Sequence, residues 1–256
     1  MAERRDTLVD IVRSGAPMSV RHAFYQAVGL GLVPKTQNGY QKVQRDVLRL
    51  RREGRIGYAD VVDGTRYVRQ SQAHDSLGDA LYETSRTYRR NLWSDSEYQL
   101  EVWAESDSIA GTAWPAVDEW GLPLFVTRGF ASETFLWNSA QQWWGNVVVL
   151  YIGDYDPHGV LIEEVARERM QAFSGASVEW ERIAITADQV AEYNLPASYG
   201  GHGVEAEALD PETLRRLLTQ AITRYVDEAS VEVIRSAERA EREILERIVE
   251  TRGGAL

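Results

Sequence analysis

The feature that most constrains the fold of this chain is a short apolar run followed at once by acidic and turn-forming residues. Residues 146–152 read Asn-Val-Val-Val-Leu-Tyr-Ile, with no polar alternation and too few residues for a buried helix. Such a run is typical of a central parallel strand covered on both faces. In open α/β sheets, ligands bind beyond the carboxyl ends of the strands. We therefore expect the chemistry of this protein at residues 153–159.

Two aspartates stand at that position. Asp154 and Asp156 are two residues apart, which in an extended chain places both carboxylates on one side. The paired charges repel each other, and a divalent cation that prefers oxygen ligands, Mg²⁺ or Mn²⁺, removes the repulsion. This pattern favours a metal site. The alternative is that one aspartate caps the helix expected from Val160 onward and the other is a solvated turn residue.

Charge is distributed unevenly along the 256 residues. Residues 1–70 hold 13 Lys and Arg against 7 Asp and Glu, whereas the whole chain has a net charge of −11. A basic amino-terminal segment joined to an acidic remainder is the asymmetry of a DNA-binding module attached to a metal-binding one. Cysteine is absent, which excludes disulfides and thiolate metal sites. No signal peptide or membrane-spanning run is visible, so we expect a cytoplasmic, nucleoid-associated protein without a membrane partner.

The first 70 residues predict a winged helix, because three helices precede two strands. The helices are expected at 4–14, 20–28 and 40–52, and the strands at 58–62 and 65–68 around an Asp63-Gly64 hairpin. The third helix is a candidate recognition helix with Leu48 facing inward. Its outward basic residues, the predicted DNA contacts, are Lys42, Arg45, Arg49 and Arg52.

Tyr25 is the candidate nucleophile of this module. It lies one residue, about 100° of rotation, off the apolar stripe of the second helix, so its hydroxyl is expected to reach the surface. Arg21 is four residues earlier and shares that face. A guanidinium beside a phenol stabilises the phenolate and also binds DNA phosphates, which suits a tyrosine that attacks phosphorus. The alternative is an ordinary boundary tyrosine with its ring in the core.

The rest of the chain predicts alternating strands and helices, and so a parallel sheet with right-handed crossovers. Glu105 follows the strand at 98–104 and should emerge at the same edge as Asp154, although it also fits a first-turn glutamate. Glu205 and Glu207 either supply extra metal ligands or form a solvated acidic approach to a helix, and we favour the latter. His202 is expected to be an exposed loop residue.

Three motifs resemble one protein superfamily. Asp154-Tyr155-Asp156-Pro157-His158-Gly159 is similar to the D-x-D-P-x-G of the topoisomerase VI A subunit and of the meiotic double-strand-break transesterases. Residues 20–25, Val-Arg-His-Ala-Phe-Tyr, resemble the segment that carries their tyrosine, and Thr127-Arg128-Gly129-Phe130 resembles their basic-Gly-aromatic turn. The likeness covers about residues 15–170 and is closest to a short, free-standing form of the A subunit. Ala131 departs from the proline that often follows the turn.

The resemblance implies an α/β protein in three parts. Residues 1–70 would form the winged-helix domain, residues 71–94 a connector, and residues 95–256 a Toprim domain. That domain has a Rossmann-like, mainly parallel sheet with an acidic metal site, and here it would carry carboxy-terminal helices.

The implied activity is Mg²⁺- or Mn²⁺-dependent cleavage of double-stranded DNA by transesterification. Tyr25 would form a phosphotyrosyl link, with Arg21 and Arg128 contacting phosphate. The metal would be held by Glu105, Asp154 and Asp156. Relatives work as homodimers in which the tyrosine of one subunit meets the metal site of the other, so a homodimer is expected, and an accessory subunit is left open. Two alternatives remain: a Toprim nuclease that activates water with the same acids, and a non-catalytic DNA-binding protein.

Overall fold

The computed structural model describes residues 2–63, 71–197 and 203–253 and confirms an α/β fold. The chain forms two compact units. The larger comprises Met1–Arg66 and Glu97–Arg224, and the smaller comprises Tyr67–Ser96 and Tyr225–Leu256.

Three helices build the amino-terminal part of the larger unit: α1 (Ala2–Gly15), α2 (Val20–Gly29) and α3 (Gln37–Arg52). Ser19 caps α2 and Thr36 caps α3, each by accepting a hydrogen bond from a first-turn backbone N–H. Their apolar faces meet in one core that includes Leu8, Phe24, Val43 and Leu50. The three predicted helices are therefore confirmed.

The strands of this part form a different pairing from the predicted hairpin. The strand expected at 58–62 is reduced to β2 (Val61–Val62), which pairs in parallel with β1 (Met18–Ser19). The second predicted strand and most of the hairpin turn, residues 64–70, lie outside the described residues. The winged-helix arrangement, with three helices followed by a two-stranded hairpin, therefore stays a prediction.

The main sheet has four parallel strands in the order β4-β3-β5-β6. The strands are β3 (Tyr98–Ala104), β4 (Leu124–Val126), β5 (Asn146–Ile152) and β6 (Ser177–Ala184). As predicted, β5 is central, and all of its residues but the first are buried. Ala104 of β3 lies opposite Val126 and Ile152, so three strands end at one edge.

Helices pack around this sheet and complete the larger unit. They are α5 (Asp107–Glu119), α6 (Glu133–Ala140), α7 (Pro157–Ser174), α8 (Ala187–Glu192) and α9 (Pro211–Thr223). On one face, Trp103 and Tyr151 pack with residues of α6 and α7, including Leu136 and Met170. A 3₁₀ helix, Ala206–Ala208, precedes α9. Among the described residues, no helix combines the length and the apolar character needed to cross a membrane.

The smaller unit consists of α4 (Leu77–Thr87) packed against α10 (Glu228–Gly253). The Tyr88 hydroxyl donates to Glu241 at 2.6 Å, and Arg242 donates to the Tyr88 carbonyl oxygen at 2.6 Å. The expected carboxy-terminal helices are thus α9 and α10, which belong to different units.

Candidate functional site

The carboxyl ends of β3 and β5 bring Glu105 and Asp154 together, as the strand order predicts. Glu105 Oε2 accepts a hydrogen bond from the backbone N–H of Asp154 at 3.0 Å. The intervening Gly153 allows this approach, because a Cβ at that position would lie 2.8 Å from Glu105 Oε2 and 2.6 Å from the Tyr151 ring. Arg182 of β6 donates to the carbonyl oxygens of Gly153 and Asp154, at 3.0 Å each. The backbone after β5 is therefore held in place from both neighbouring strands.

A distant segment joins this edge of the sheet. Tyr155 and Val204 form an isolated antiparallel bridge, with N–H to carbonyl distances of 2.8 and 2.9 Å. Asp154 Oδ1 accepts a further hydrogen bond from the backbone N–H of Ala206 at 2.8 Å. These bonds carry Glu205 and Glu207 to the end of the central strand.

The resulting cluster consists of Asp154, Glu205 and Glu207. One carboxylate oxygen from each residue lies within 4.8 Å of the others. Glu207 is only 1% exposed, so the expected solvated approach to α9 is wrong for this residue. Three hard, anionic oxygen ligands converging on one point fit a divalent cation such as Mg²⁺ or Mn²⁺. The donor set therefore suits the predicted type of metal, with two ligands that sequence reasoning did not favour.

The structure does not bring Asp156 into this cluster. Its Oδ1 accepts a hydrogen bond from the backbone N–H of Gly159 at 2.7 Å and caps α7, whose first residue is Pro157. This is the capping role left open by the sequence, and Asp156 as a metal ligand stays a prediction. Glu105 lies next to Asp154 through the hydrogen bond to its backbone, outside the group of three.

Arg21 already contacts two of the clustered acids. Its guanidinium forms ion pairs with Glu205 and, from Nε at 3.1 Å, with Glu207. Arg21, which is predicted to contact a DNA phosphate, is thus paired with acidic side chains of its own chain, although its side chain remains 46% exposed. An internal cation therefore balances part of the charge that a metal ion would balance.

We expect Arg21→Ala to raise the affinity for Mn²⁺ by roughly five- to tenfold, because the two glutamates lose a competing cation. Isothermal titration calorimetry of the purified protein measures this change. Arg55→Ala is the matched control, since Arg55 is paired with Asp6 instead. Equal affinities for wild type and Arg21→Ala would show that the guanidinium does not compete with the metal.

Tyr25 lies beside the same acids but is more buried than predicted, at 6% exposure. Burial, followed by the Glu205 charge, raises the pKa of the Tyr25 phenol above the ordinary range. Nζ of Lys35 lies 4.6 Å from the centroid of the Tyr25 ring. Sequence reasoning did not single out Lys35, because it stands alone in a turn. A single chain thus places the tyrosine, two cations and the acidic cluster together.

The surroundings of the two acids that follow β3 and β5 raise the pKa values of both carboxyl groups. Burial, and then the charges of Glu207 and Glu105, raise the pKa of Asp154 from 3.8 to about 7. Burial also raises the pKa of Glu105, and the Asp154 backbone N–H opposes that shift. Without a cation, the cluster therefore opposes its own ionisation.

The raised pKa of Asp154 makes the metal-free protein less stable as the pH rises. An unfolded aspartate ionises near 3.8, whereas the folded one keeps its proton until about pH 7, so stability is lost across that window. We expect Asp154→Asn to increase the free energy of unfolding in EDTA at pH 8 by roughly 3 kcal/mol. At pH 4 we expect little difference. Urea titration at both pH values measures this, and a gain of equal size at both would contradict it.

The predicted DNA contacts occupy two other surfaces. On α3, Arg45, Arg49 and Arg52 are exposed and Lys42 is partly buried, while Leu48 is 45% exposed and so does not face inward as expected. Arg128 is exposed after β4 and donates to Asp107 at 2.9 Å. None of these residues lies in the acidic cluster, and whether they contact DNA stays a prediction.

His22 lies in α2, the helix that also carries Tyr25 and Gln26, and it anchors this helix in the fold. Its ring is fully buried, with Nδ1 3.1 Å from the Thr112 hydroxyl and Nε2 2.6 Å from the Leu209 carbonyl oxygen. Burial lowers its pKa, which keeps the ring neutral. His22 therefore fixes α2 against α5 and the segment after the 3₁₀ helix, and so positions Arg21 and Tyr25 at the cluster.

The chain was compared with protein-family models, with curated proteins and with solved structures, and nothing matches it in any of the three comparisons.

Proposed function

We propose that this protein is a divalent-metal-dependent enzyme that cleaves DNA by transesterification through Tyr25. The observation that carries the proposal is the position of Tyr25 beside Glu205, a member of the acidic cluster: both residues line one cavity, and Arg21, which pairs with Glu205, lies 5.8 Å from the centroid of the Tyr25 ring. A nucleophile, a proton acceptor and a cation site thus adjoin one another. Phosphoryl transfer needs these three components in contact.

In the proposed reaction, Tyr25 gives its proton to Glu205 as the phenol oxygen attacks phosphorus. A bond forms between that oxygen and phosphorus, one ester bond of the strand breaks, and the released sugar oxygen takes up a proton. Asp154, Glu205 and Glu207 would hold the metal, which supplies positive charge to the phosphate in the transition state. Arg21, once freed from the glutamates, and Lys35 are the cations available to a phosphate oxygen.

The resemblance of the three motifs supports the finer assignment of a winged helix followed by a Toprim domain acting on double-stranded DNA. One feature differs from what the resemblance implies. Tyr25 meets the acids of its own chain, so the proposed chemistry does not require a tyrosine from a second subunit. A homodimer and an accessory subunit remain proposals that this site does not depend on.

Hydrolysis by a metal-activated water is the second candidate function. The observation that favours it is the burial of Tyr25, which raises the pKa of the phenol and so opposes formation of the nucleophilic phenolate. In that reaction the same acids hold the metal, and Tyr25 is only a structural residue. A non-catalytic DNA-binding role would use the surface of α3 alone.

The products separate these functions. Supercoiled plasmid is incubated with the protein and Mg²⁺ or Mn²⁺, the reaction is stopped with denaturant, and the DNA ends are examined before and after protease. Transesterification leaves ends that stay attached to protein until protease is added. Free ends would identify a hydrolase, and intact plasmid under all conditions would leave only the binding role.

A further inference from the structure

A cavity of about 550 Å³ opens beside Tyr25, between α2 and the start of α3. Its lining combines aromatic rings, cations and neutral hydrogen-bonding groups. The residues that matter here are Arg21, Tyr25, Lys35, Gln37, Tyr40 and Glu205. Because Glu205 belongs to both, the cavity and the acidic cluster share a wall.

Lys35 supplies the charge that this cavity offers to a ligand. Its Nζ donates to the backbone carbonyl oxygen of Ala197 at 2.8 Å and lies over the Tyr25 ring. Over residues 2–63, 71–197 and 203–253, no carboxylate lies within ion-pair distance of it, whereas Arg21 has two. An ammonium that the nearby acids do not contact in an ion pair is suited to bind a phosphate oxygen.

The size and chemistry of the cavity fit one nucleotide. Its volume is in the range of small-ligand sites and excludes a DNA duplex. The Gln37 amide offers both donors and an acceptor for the edge of a base. Tyr40 provides a partly exposed aromatic wall. Enzymes that do chemistry on a base turn that nucleotide out of the base stack into such a pocket.

We propose that this cavity holds one nucleotide of the substrate strand, with its base turned out toward Gln37 and Tyr40 and its phosphate bound by Lys35 beside Tyr25. The inference rests on the proposed function, because it takes Tyr25 as the residue that attacks this strand. It adds one requirement to that function: the nucleotide next to the cleaved bond must leave the base stack and bind in the cavity.

Photocrosslinking tests the location of the base without any need for activity. A single-stranded oligonucleotide containing 4-thiothymidine is bound to the full chain in EDTA, irradiated, and the crosslinked peptide is mapped by mass spectrometry. We expect crosslinks within residues 36–40. Gln37→Trp fills the mouth of the cavity, so it should remove these crosslinks and weaken binding roughly tenfold. Val233→Trp, at an exposed position of α10 to which no role in DNA binding is assigned, is the matched control and should change affinity by less than about twofold.

The other outcomes overturn the inference in distinguishable ways. Crosslinks confined to the outer surface of α3, with unchanged affinity in Gln37→Trp, would remove the cavity as a base site and leave the proposed function standing. Binding of free deoxynucleoside monophosphates as tight as that of the oligonucleotide would reassign the cavity to a free nucleotide. A wild-type protein that binds neither single- nor double-stranded DNA would sink the proposed function together with the inference.

Discussion

Replacing Glu207 with glutamine is expected to weaken Mn²⁺ binding by roughly 100-fold or more and to reduce DNA cleavage to background. Glu207 is the most buried member of the cluster, and glutamine keeps its volume while removing the anionic oxygen that a cation needs. The side chain accepts from Ser106 at 3.4 Å, a contact that the amide oxygen of glutamine can retain. Removal of a buried charge should leave the fold intact, which thermal unfolding in EDTA can verify.

Asp156→Asn is the matched control, and it decides between two ligand sets. Asparagine caps helices about as well as aspartate, so the hydrogen bond from Gly159 should survive. We expect its Mn²⁺ affinity and cleavage to stay within about threefold of wild type. The opposite result, with Asp156→Asn inactive and Glu207→Gln active, would restore the pair of aspartates predicted from the sequence and discard the cluster seen here.

The sheet could be predicted because its signals are local. An apolar run without alternation marked β5 with the observed bounds, and the strand at 98–104 coincides with β3. Parallel connectivity then follows from alternating helices, and it places Glu105 and Asp154 at one edge. Each step needs only neighbouring residues and the handedness of crossovers.

The complete acidic cluster could not be predicted, because it depends on a contact between residues about fifty positions apart. Two backbone hydrogen bonds between Tyr155 and Val204 set the position of Glu205 and Glu207. Backbone hydrogen bonds of this kind leave no residue pattern, so the segment reads as a polar loop. A usable hint was Gly203, where a Cβ would collide with the Cβ of Asp156. A glycine near paired acids is better explained by the close approach of another backbone segment, which a Cβ would block, than by chain flexibility.

The ambiguity of Asp156 has a physical origin as well. An Asp-x-Asp-Pro sequence at a strand end satisfies both the spacing of two metal ligands and the preference for an aspartate N-cap before a first-turn proline. The structure shows the second role for Asp156, whose Oδ1 accepts a hydrogen bond from the Gly159 N–H at the start of α7 at 2.7 Å. Asp156 therefore caps the helix through a local hydrogen bond, and Asp154 belongs to the acidic cluster.

The second large effect is expected from Tyr25→Phe, which should abolish protein-linked DNA ends and lower total cleavage by about 10³-fold or more. Phenylalanine preserves the ring contacts with Phe24 and Lys35 and removes only the hydroxyl, which lies in the cavity that Glu205 also lines. Because Arg21 still binds Glu205, the acidic cluster should keep its arrangement and its Mn²⁺ affinity. Denaturing gels with end-labelled DNA measure the linked ends, and calorimetry checks the metal.

Tyr58→Phe controls for the loss of a phenol elsewhere in the same region, since Tyr58 is exposed and packs against Arg51. It should cleave like wild type. Persistence of cleavage with free ends in Tyr25→Phe would assign the reaction to water, and the raised pKa of the phenol would then be the reason that Tyr25 does not attack. Loss of linked ends together with unchanged Mn²⁺ affinity would instead show that Tyr25 acts as the nucleophile and is not needed for metal binding. That result requires the cation to lower the barrier to phenolate formation, because the metal-free surroundings of Tyr25 oppose it.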